Sequence, residues 1–299
     1  MKRVNNRVKK LFFVVLILLG MYLYDYFQSY FTDNVQKREN TTGDVLEIYY
    51  LDVGQADSTL IRYQDYNVLI DAGNVSDGPK LMDYFKRLGI SKFQYVIGSH
   101  SHEDHIGGMS TILYHFSVDH FLIPEVDGKS KCYDTMFNAA TQMDIDMETP
   151  EVDSEFSLGD LKFQVLWVGN DKKDLNQNSI VLKMTYFNTS YLFMGDAPSA
   201  VEKELLEKDI KCDVLKVGHH GSQYSTEAHF IHQAHPTYSI ISVGKGNTYG
   251  HPKDVVLKKL DRIGSTVYRT DLNHTIHLVS DGDTLSFDFL ETDTNGGSD

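Results

Sequence analysis

From Val45 to Leu290 the chain is written in short apolar runs that alternate with amphipathic stretches. Runs such as VLEIYYLDV (Val45–Val53), STLIRY (Ser58–Tyr63) and NVLIDAG (Asn67–Gly73) carry β-branched and aromatic residues at a period near two, the signature of strands. FQYVIGSH, HFLIP, LKFQVLWV, SIVLKMTY, SYLFMGD, DVLKVGHH, YSIISVG and STVYR extend the series. TIHLVSD and TLSFDFL predict a closing hairpin with Asp281-Gly282 in its turn. Helical spacing fits Lys80–Leu88 (closed by Gly89), Gly108–Phe116, the DTMFNAATQM run, and 198–208, 226–234 and 253–263. Strands interleaved with helices predict one layered α/β domain over 44–290, followed by a polar tail over 291–299.

The first 43 residues follow another pattern. Leu11 to Tyr24 holds fourteen residues without a charge, preceded by Lys2, Arg3, Arg7, Lys9 and Lys10. Fourteen helical residues span about 21 Å, short of a ~30 Å hydrocarbon core. Tyr22, Tyr24, Tyr26 and Tyr30 form an interfacial aromatic belt that lengthens the span. Residues 1–31 therefore read as a basic leader and an N-terminal transmembrane helix, and residues 32–43 as a polar linker. The basic leader stays inside by the positive-inside rule, which puts the body outside a cell membrane; a cleaved signal and a secreted body is the alternative.

Composition narrows the function. The 299 residues carry 28 Lys and Arg against 42 Asp and Glu. Beyond the leader, 23 cations face 42 acids, a net −19. Such a body does not clamp long duplex DNA, whose non-specific binding is mostly Lys and Arg contact with phosphate. Cys132 and Cys212 exclude a disulfide scaffold and a Cys-rich zinc module, and read as one bridge or as two buried thiols.

The chemistry sits at the end of a strand, in Ser99-His100-Ser101-His102-Glu103-Asp104-His105-Ile106-Gly107-Gly108. His100 and His102, two apart on extended backbone, point to one side, and Asp104 and His105 follow as the chain turns toward a helix. The set can feed two metal ions, one from His100 and His102 and one from Asp104 and His105. Nitrogen and oxygen donors without thiolate suit Zn²⁺ or Mn²⁺.

HSHEDH matches the H-x-H-x-D-H signature of the metallo-β-lactamase fold, and the resemblance runs over most of residues 45–280. LDVGQADS (Leu51–Ser58), VLIDAG, Gly195-Asp196, DVLKVGHHGS (Asp213–Ser222), NTYGHP (Asn247–Pro252) and YRTD (Tyr268–Asp271) resemble the extracellular domain of ComEC-type competence proteins. The resemblance implies a four-layer αββα sandwich with two divalent ions and Asp196 bridging them. Pro198 is expected at the first position of the following helix, with Ala197 as its cap. Of the pair after the DVLKV strand, His219 is assigned to a metal and His220 to the substrate or leaving group, with the reverse order left open. His251 is a second group for the leaving oxygen. Asp71 is expected to accept a hydrogen bond from a ligand histidine and fix its ring. The family comparison puts the turn with Asp52, Gln55 and Asp57 near the site. It also puts Asn178 in the stretch where many relatives carry a further His. The metal shell is then His100, His102, Asp104, His105, Asp196 and His219, with Asp104, His220 and His251 as catalytic groups. His115, His120, His229, His232, His235, His274 and His277 read as structural.

Metal-assisted hydrolysis needs no nucleophilic side chain, and no Ser-His-Asp or Cys-His pattern is present. The resemblance implies a phosphodiester bond, hence nuclease action on DNA outside the membrane, and the acidic body favours short, single-stranded or small substrates. A phosphorylcholine esterase acting on wall teichoic acid is the alternative, followed by a β-lactam or other ester hydrolase and by a non-catalytic binding module. No protein partner is inferable.

Overall fold

The computed structural model describes residues 45–125, 130–171 and 173–291. The expected anchor helix and linker and nearly all of the expected tail lie outside these residues. Among the described residues no helix is long and apolar enough to cross a membrane.

Two sheets carry the fold. The first has eight strands in the order β15-β14-β1-β2-β3-β4-β5-β6: β1 (Leu46–Tyr50), β2 (Thr59–Tyr63), β3 (Tyr66–Ile70), β4 (Lys92–Ile97), β5 (Ser117–Leu122), β6 (Met147–Glu148), β14 (Thr275–Ser280) and β15 (Leu285–Leu290). The second has seven strands in the order β13-β12-β11-β10-β9-β8-β7: β7 (Glu155–Leu158), β8 (Leu161–Trp167), β9 (Val181–Tyr186), β10 (Thr189–Phe193), β11 (Val214–Lys216), β12 (Tyr238–Ile241) and β13 (Thr266–Arg269). In each sheet an antiparallel half runs into a parallel one, β3 to β6 in the first and β10 to β13 in the second. Parallel neighbours need crossovers, which here are the helices.

Period-two alternation builds the layers. In β1, Leu46, Ile48 and Tyr50 enter the core between the sheets while Tyr49 turns outward. In β10, Tyr191 and Phe193 face inward and Leu192 outward. The outer face of the first sheet is covered by α1 (Gly78–Arg87) through Leu81 and Phe85, by α3 (Met109–His115) through Ile112 and Leu113, and by α4 (Lys131–Gln142) through Met136 and Ala139. The second sheet is covered by α5 (Ser199–Leu205) through Val201 and Leu205, by α6 (Ala228–Ala234) through Phe230 and Ile231, and by α7 (Asp254–Arg262) through Val256 and Leu260. Spacings of three and four residues put Leu81 with Phe85, Met136 with Ala139, Val201 with Leu205 and Val256 with Leu260 on one face of their helices. Burying such side chains contributes about 1.5–3 kcal/mol each. The result is helices, sheet, sheet, helices.

Three local expectations change. Strand β7 lies in EFSL, where alternation over four residues is too short to stand out. Pro198 is the N-cap of α5, not its first residue, and Ser199 starts the helix. DVLKVGHH is strand only over Val214–Lys216; a tight left-handed turn within Gly218–Gly221 takes both histidines out of extended conformation. Cys132 and Cys212 are both free and buried.

Candidate metal centre

The HSHEDH segment leaves β4 and caps a single helical turn, α2 (Glu103–Ile106), with His102 at the N-cap in extended conformation. His100 and His105 are fully buried and half-buried His102 lies beside them, its Nδ1 3.0 Å from His100 Nε2. Gly107 and Gly108 are required by close approach: a Cβ on Gly108 would lie 2.2 Å from the Ala72 carbonyl oxygen, and one on Gly107 2.4 Å from the Val75 nitrogen. The backbone is stitched to the neighbouring loops by Ala72 N–H donating to His105 O (2.7 Å) and Asp57 N–H to Asp104 O (3.0 Å).

Asp71 follows β3 at φ 60°, a left-handed conformation that Asp tolerates better than most residues. From there its carboxylate accepts the Ser99 N–H (2.7 Å) and Ser99 hydroxyl (2.8 Å), and meets His105 Nδ1 at 2.8 Å. With Nδ1 held, His105 turns Nε2 toward Asp196 Oδ1 at 3.3 Å. Burial raises the Asp71 carboxyl, and its bonds to His105 offset only part of that rise.

Asp196 follows β10 past Gly195 and is buried. Its N–H donates to Ser179 Oγ at 3.1 Å. Oδ2 lies 3.9 Å from His100 Nε2 and 3.6 Å from His219 Nε2, while Oδ1 lies 3.3 Å from His105 Nε2 and 3.9 Å from His220 Nε2. One carboxylate thus faces histidines of both motifs.

The second motif folds differently. His219 and His220 adopt φ 51° and 52°, left-handed geometry that is costly for non-glycine residues. The strain points the two rings apart. His220 is buried, with Nδ1 donating to the Ser242 carbonyl oxygen at 3.0 Å and Nε2 3.2 Å from Asp104 Oδ2. His220, Asp104 and His105 form one group whose ligand atoms lie within 4.8 Å of one another, and His100, His105 and Asp196 form another. His220 sits in the first of these groups; His219 is in neither, though its Nε2 faces Asp196 Oδ2 at 3.6 Å.

Asp57 and Lys216 complete the site. Lys216 Nζ meets Asp57 Oδ2 at 2.6 Å with both side chains buried, and Asp57 Oδ1 lies 3.4 Å from His220 Nδ1. Burial would raise the Asp57 carboxyl, but Lys216 and His220 hold it far below the usual carboxylate range. Lys216 carries no motif of its own and goes unnoticed in an apolar strand; its one signal is a charge in the middle of VLKV. Burial would lower His220, yet Asp196 and Asp57 push it up to about 10. The carboxylates at this site demand positive charge beside them, whether proton or metal.

The other expected residues fall as follows. Gln55 Oε1 accepts the Gly244 N–H at 3.1 Å, which ties its turn to the loop after β12. Asp52 is not brought to the cluster; it accepts the Gly54 N–H and lines a separate cavity of about 660 Å³ with Lys80, Tyr84 and Arg87. Asn178 is buried, and its amide is engaged away from the histidines. Its Nδ2 donates to Asp171 O (2.7 Å) and its Oδ1 accepts the Asp171 N–H (2.5 Å), so both ends of the amide hold a loop. Ser179, one residue on, is the residue of that stretch that touches the site. His251 stands beside His219, ring centroids 5.9 Å apart. Burial, with His219 and His220, holds His251 down to about 4. These neighbours favour the uncharged ring.

Asp196 Oδ1, His105 Nε2, His219 Nδ1 and His251 Nδ1 are buried without a hydrogen-bond partner. Polar atoms of this kind are costly unless matched. Convergent carboxylate and imidazole donors fit divalent cations with mixed nitrogen and oxygen ligation.

The model of the Metallo-beta-lactamase superfamily matches residues 51–245. The chain belongs to the metallo-beta-lactamase superfamily. It is 34% identical over 251 residues to ComE operon protein 3 of Bacillus subtilis (strain 168), covering 77% of this chain and 32% of that protein. It is 31% identical over 235 residues to Recombination protein 2 of Haemophilus influenzae, covering 76% and 28%. The Competence protein ComA of Neisseria gonorrhoeae is 26% identical over 231 residues, covering 74% and 30%. The chain thus spans about a third of the length of the curated relatives it matches. Among solved structures, the metallo-beta-lactamase fold protein YhfI from Bacillus subtilis superposes with TM-score 0.52 at 14% identity, covering 76% of this chain and 96% of that one. The CmlA beta-hydroxylase E377D mutant superposes with TM-score 0.53 at 14% identity, covering 79% and 53%. These two show the shared fold. The chain is a metallo-beta-lactamase superfamily hydrolase related to competence proteins.

Proposed function

We propose that this hydrolase is a metal-dependent phosphodiesterase that cuts nucleic acid, anchored by residues 1–31 with its body outside the membrane. The observation that carries the metal part is Asp196, whose two oxygens face His100 and His219 on one side and His105 and His220 on the other. His100, His102 and Asp196 would hold one ion; Asp104, His105, His220 and Asp196 would hold the second. Bound divalent ions supply an activated water and stabilise charge developing at phosphorus. The chain supplies the rest. Asp71 and Ser99 fix the His105 ring, Lys216 and Asp57 fix His220, and neutral His251 offers a ring N–H to the leaving oxygen. The competence and recombination names of the relatives support nucleic acid as the polymer, and the acidic body favours single strands over duplex.

The test is metal content after loading with Zn²⁺ and Mn²⁺ separately, followed by turnover of single-stranded DNA, bis-p-nitrophenyl phosphate, p-nitrophenyl phosphorylcholine and nitrocefin. Two ions per chain and cleavage of the first two substrates are expected. Fast nitrocefin turnover with inert phosphodiesters would overturn the reading, and preference for the phosphorylcholine ester would move the substrate to teichoic acid.

A further inference from the structure

The loop Asn247–Pro252 carries a feature that metal binding does not use. Tyr249 is 64% exposed, yet the loop that presents it is rigidly held. Asn247 Nδ2 donates to the carbonyl oxygens of Gly244 (3.0 Å) and His251 (2.7 Å), and its Oδ1 accepts the His251 N–H (3.0 Å). Lys253 Nζ donates to the Tyr249 carbonyl at 2.7 Å. The loop is also joined to the His219–His220 turn. Lys253 N–H donates to Gly221 O at 2.9 Å, and Pro252 packs so close to Gly221 that a Cβ there would stand 2.6 Å from the proline Cβ. A fixed backbone thus holds a large aromatic side chain mostly in water.

The rings line up from solvent to the metal centre. Tyr249 stacks on His251 (centroids 5.7 Å, planes 21° apart), His251 meets His219 edge to face at 5.9 Å, and His219 Nε2 lies 3.6 Å from Asp196 Oδ2. His251 occupies one face of the tyrosine ring, and among the described residues no other aromatic ring stacks on it. Lys245 and Lys253 flank it in sequence, cations in an otherwise acidic body.

We propose that Tyr249 is a stacking platform for an unpaired nucleobase of a strand whose scissile phosphodiester, further along, reaches Asp196. The inference rests on the phosphodiester reading and names the feature that selects single strands: a base stacked inside a duplex has no free face to offer. A quaternary ammonium group would need several aromatic faces around it, and Tyr249 offers one flat face. Base–aromatic stacking is sequence-tolerant because every base has a π-face.

The experiment uses the full-length, metal-loaded protein and fluorescent single-stranded oligonucleotides with phosphorothioate linkages, read by anisotropy. Tyr249→Ala should raise Kd about tenfold or more, Tyr249→Trp should keep it, and the two should not differ on an oligonucleotide of abasic sites. Equal Kd for wild type and Tyr249→Ala on the base-containing strand overturns the inference. So does a Tyr249→Ala defect that appears on p-nitrophenyl phosphorylcholine and not on the oligonucleotide. Bis-p-nitrophenyl phosphate turnover by the wild type reports separately on hydrolysis. If it fails while base-dependent binding is lost in Tyr249→Ala, the platform stands and the phosphodiesterase reading falls.

Discussion

The two histidine motifs solve the same problem in different ways. His100–His105 takes its geometry from ordinary pieces: a strand end, one helical turn capped at His102, two glycines that allow close packing, and a carboxylate behind the ring of His105. His219–His220 takes it from strain. Two consecutive non-glycine residues at left-handed φ turn their rings apart, and a buried Lys216–Asp57 ion pair stands behind His220. The first site is written in the residues that bind. The second depends on residues that touch no metal.

The comparison is tested most severely at Asp196, where the motifs meet. Asp196→Asn keeps volume and removes the charge that both sides face. Loss of several kcal/mol of charge stabilisation predicts turnover down about 10³-fold with the melting curve preserved. In the same series, His220→Ala should lose metal while His219→Ala keeps it; the opposite result restores the assignment expected from sequence.

The second effect concerns the supports of the second motif. Lys216→Met leaves Asp57 buried without its partner, a change that costs about 3–5 kcal/mol. Thermal unfolding should move down by roughly 6–20 °C. Adding Asp57→Leu should recover part of the loss, because the double variant buries no unpaired charge. Unchanged stability in Lys216→Met would mean that the ion pair does not support the turn.

This difference also explains what was legible in the sequence. The layered fold was readable because alternation in runs such as LEIYY and SYLF survives directly as inward and outward faces. HSHEDH was readable because all its donors lie within six residues. The backbone of His219 and His220 was not, since a strand ending in two histidines and a left-handed turn carrying them have the same letters. Lys216 was invisible because its partner Asp57 lies 159 positions away. The loop that the Asn178 amide closes was hidden too, because its partner Asp171 lies in a polar stretch with no periodicity.

Glu202 offers a pH-dependent probe at the outer edge of the second motif. Its carboxylate accepts the N–H groups of Thr226 and Glu227, the latter at 2.8 Å, just before α6. Burial raises it from 4.5 to about 7 despite those bonds. Because the folded value lies above the unfolded one, the stabilising contribution is complete below about pH 4.5 and fades as pH rises through 7. The shift corresponds to about 3 kcal/mol. Relative to Glu202→Gln, the wild type should therefore lose about that much stability between pH 4.5 and 8 in urea titrations. A constant difference between the two proteins across that range contradicts a buried, raised carboxyl.

The smallest effect is expected behind the first motif. Asp71→Asn tolerates the same left-handed backbone and can still accept from Ser99, so the fold and the loop should persist. What changes is the partner of His105 Nδ1. A carboxylate there fixes which nitrogen carries the proton and turns Nε2 toward Asp196; an amide can present its NH₂ to the ring and favour the other tautomer. Outer partners of this kind are worth about 10–100-fold in metal affinity. Competition with a chromophoric chelator should show one of the two ions weakened by that factor and the other held nearly as before, since Asp71 meets the ring of His105 directly and not those of His100 and His102. Equal weakening of both ions would show that Asp71 supports the motif as a whole. No weakening would show that the first motif, like the second, is held in place by its backbone.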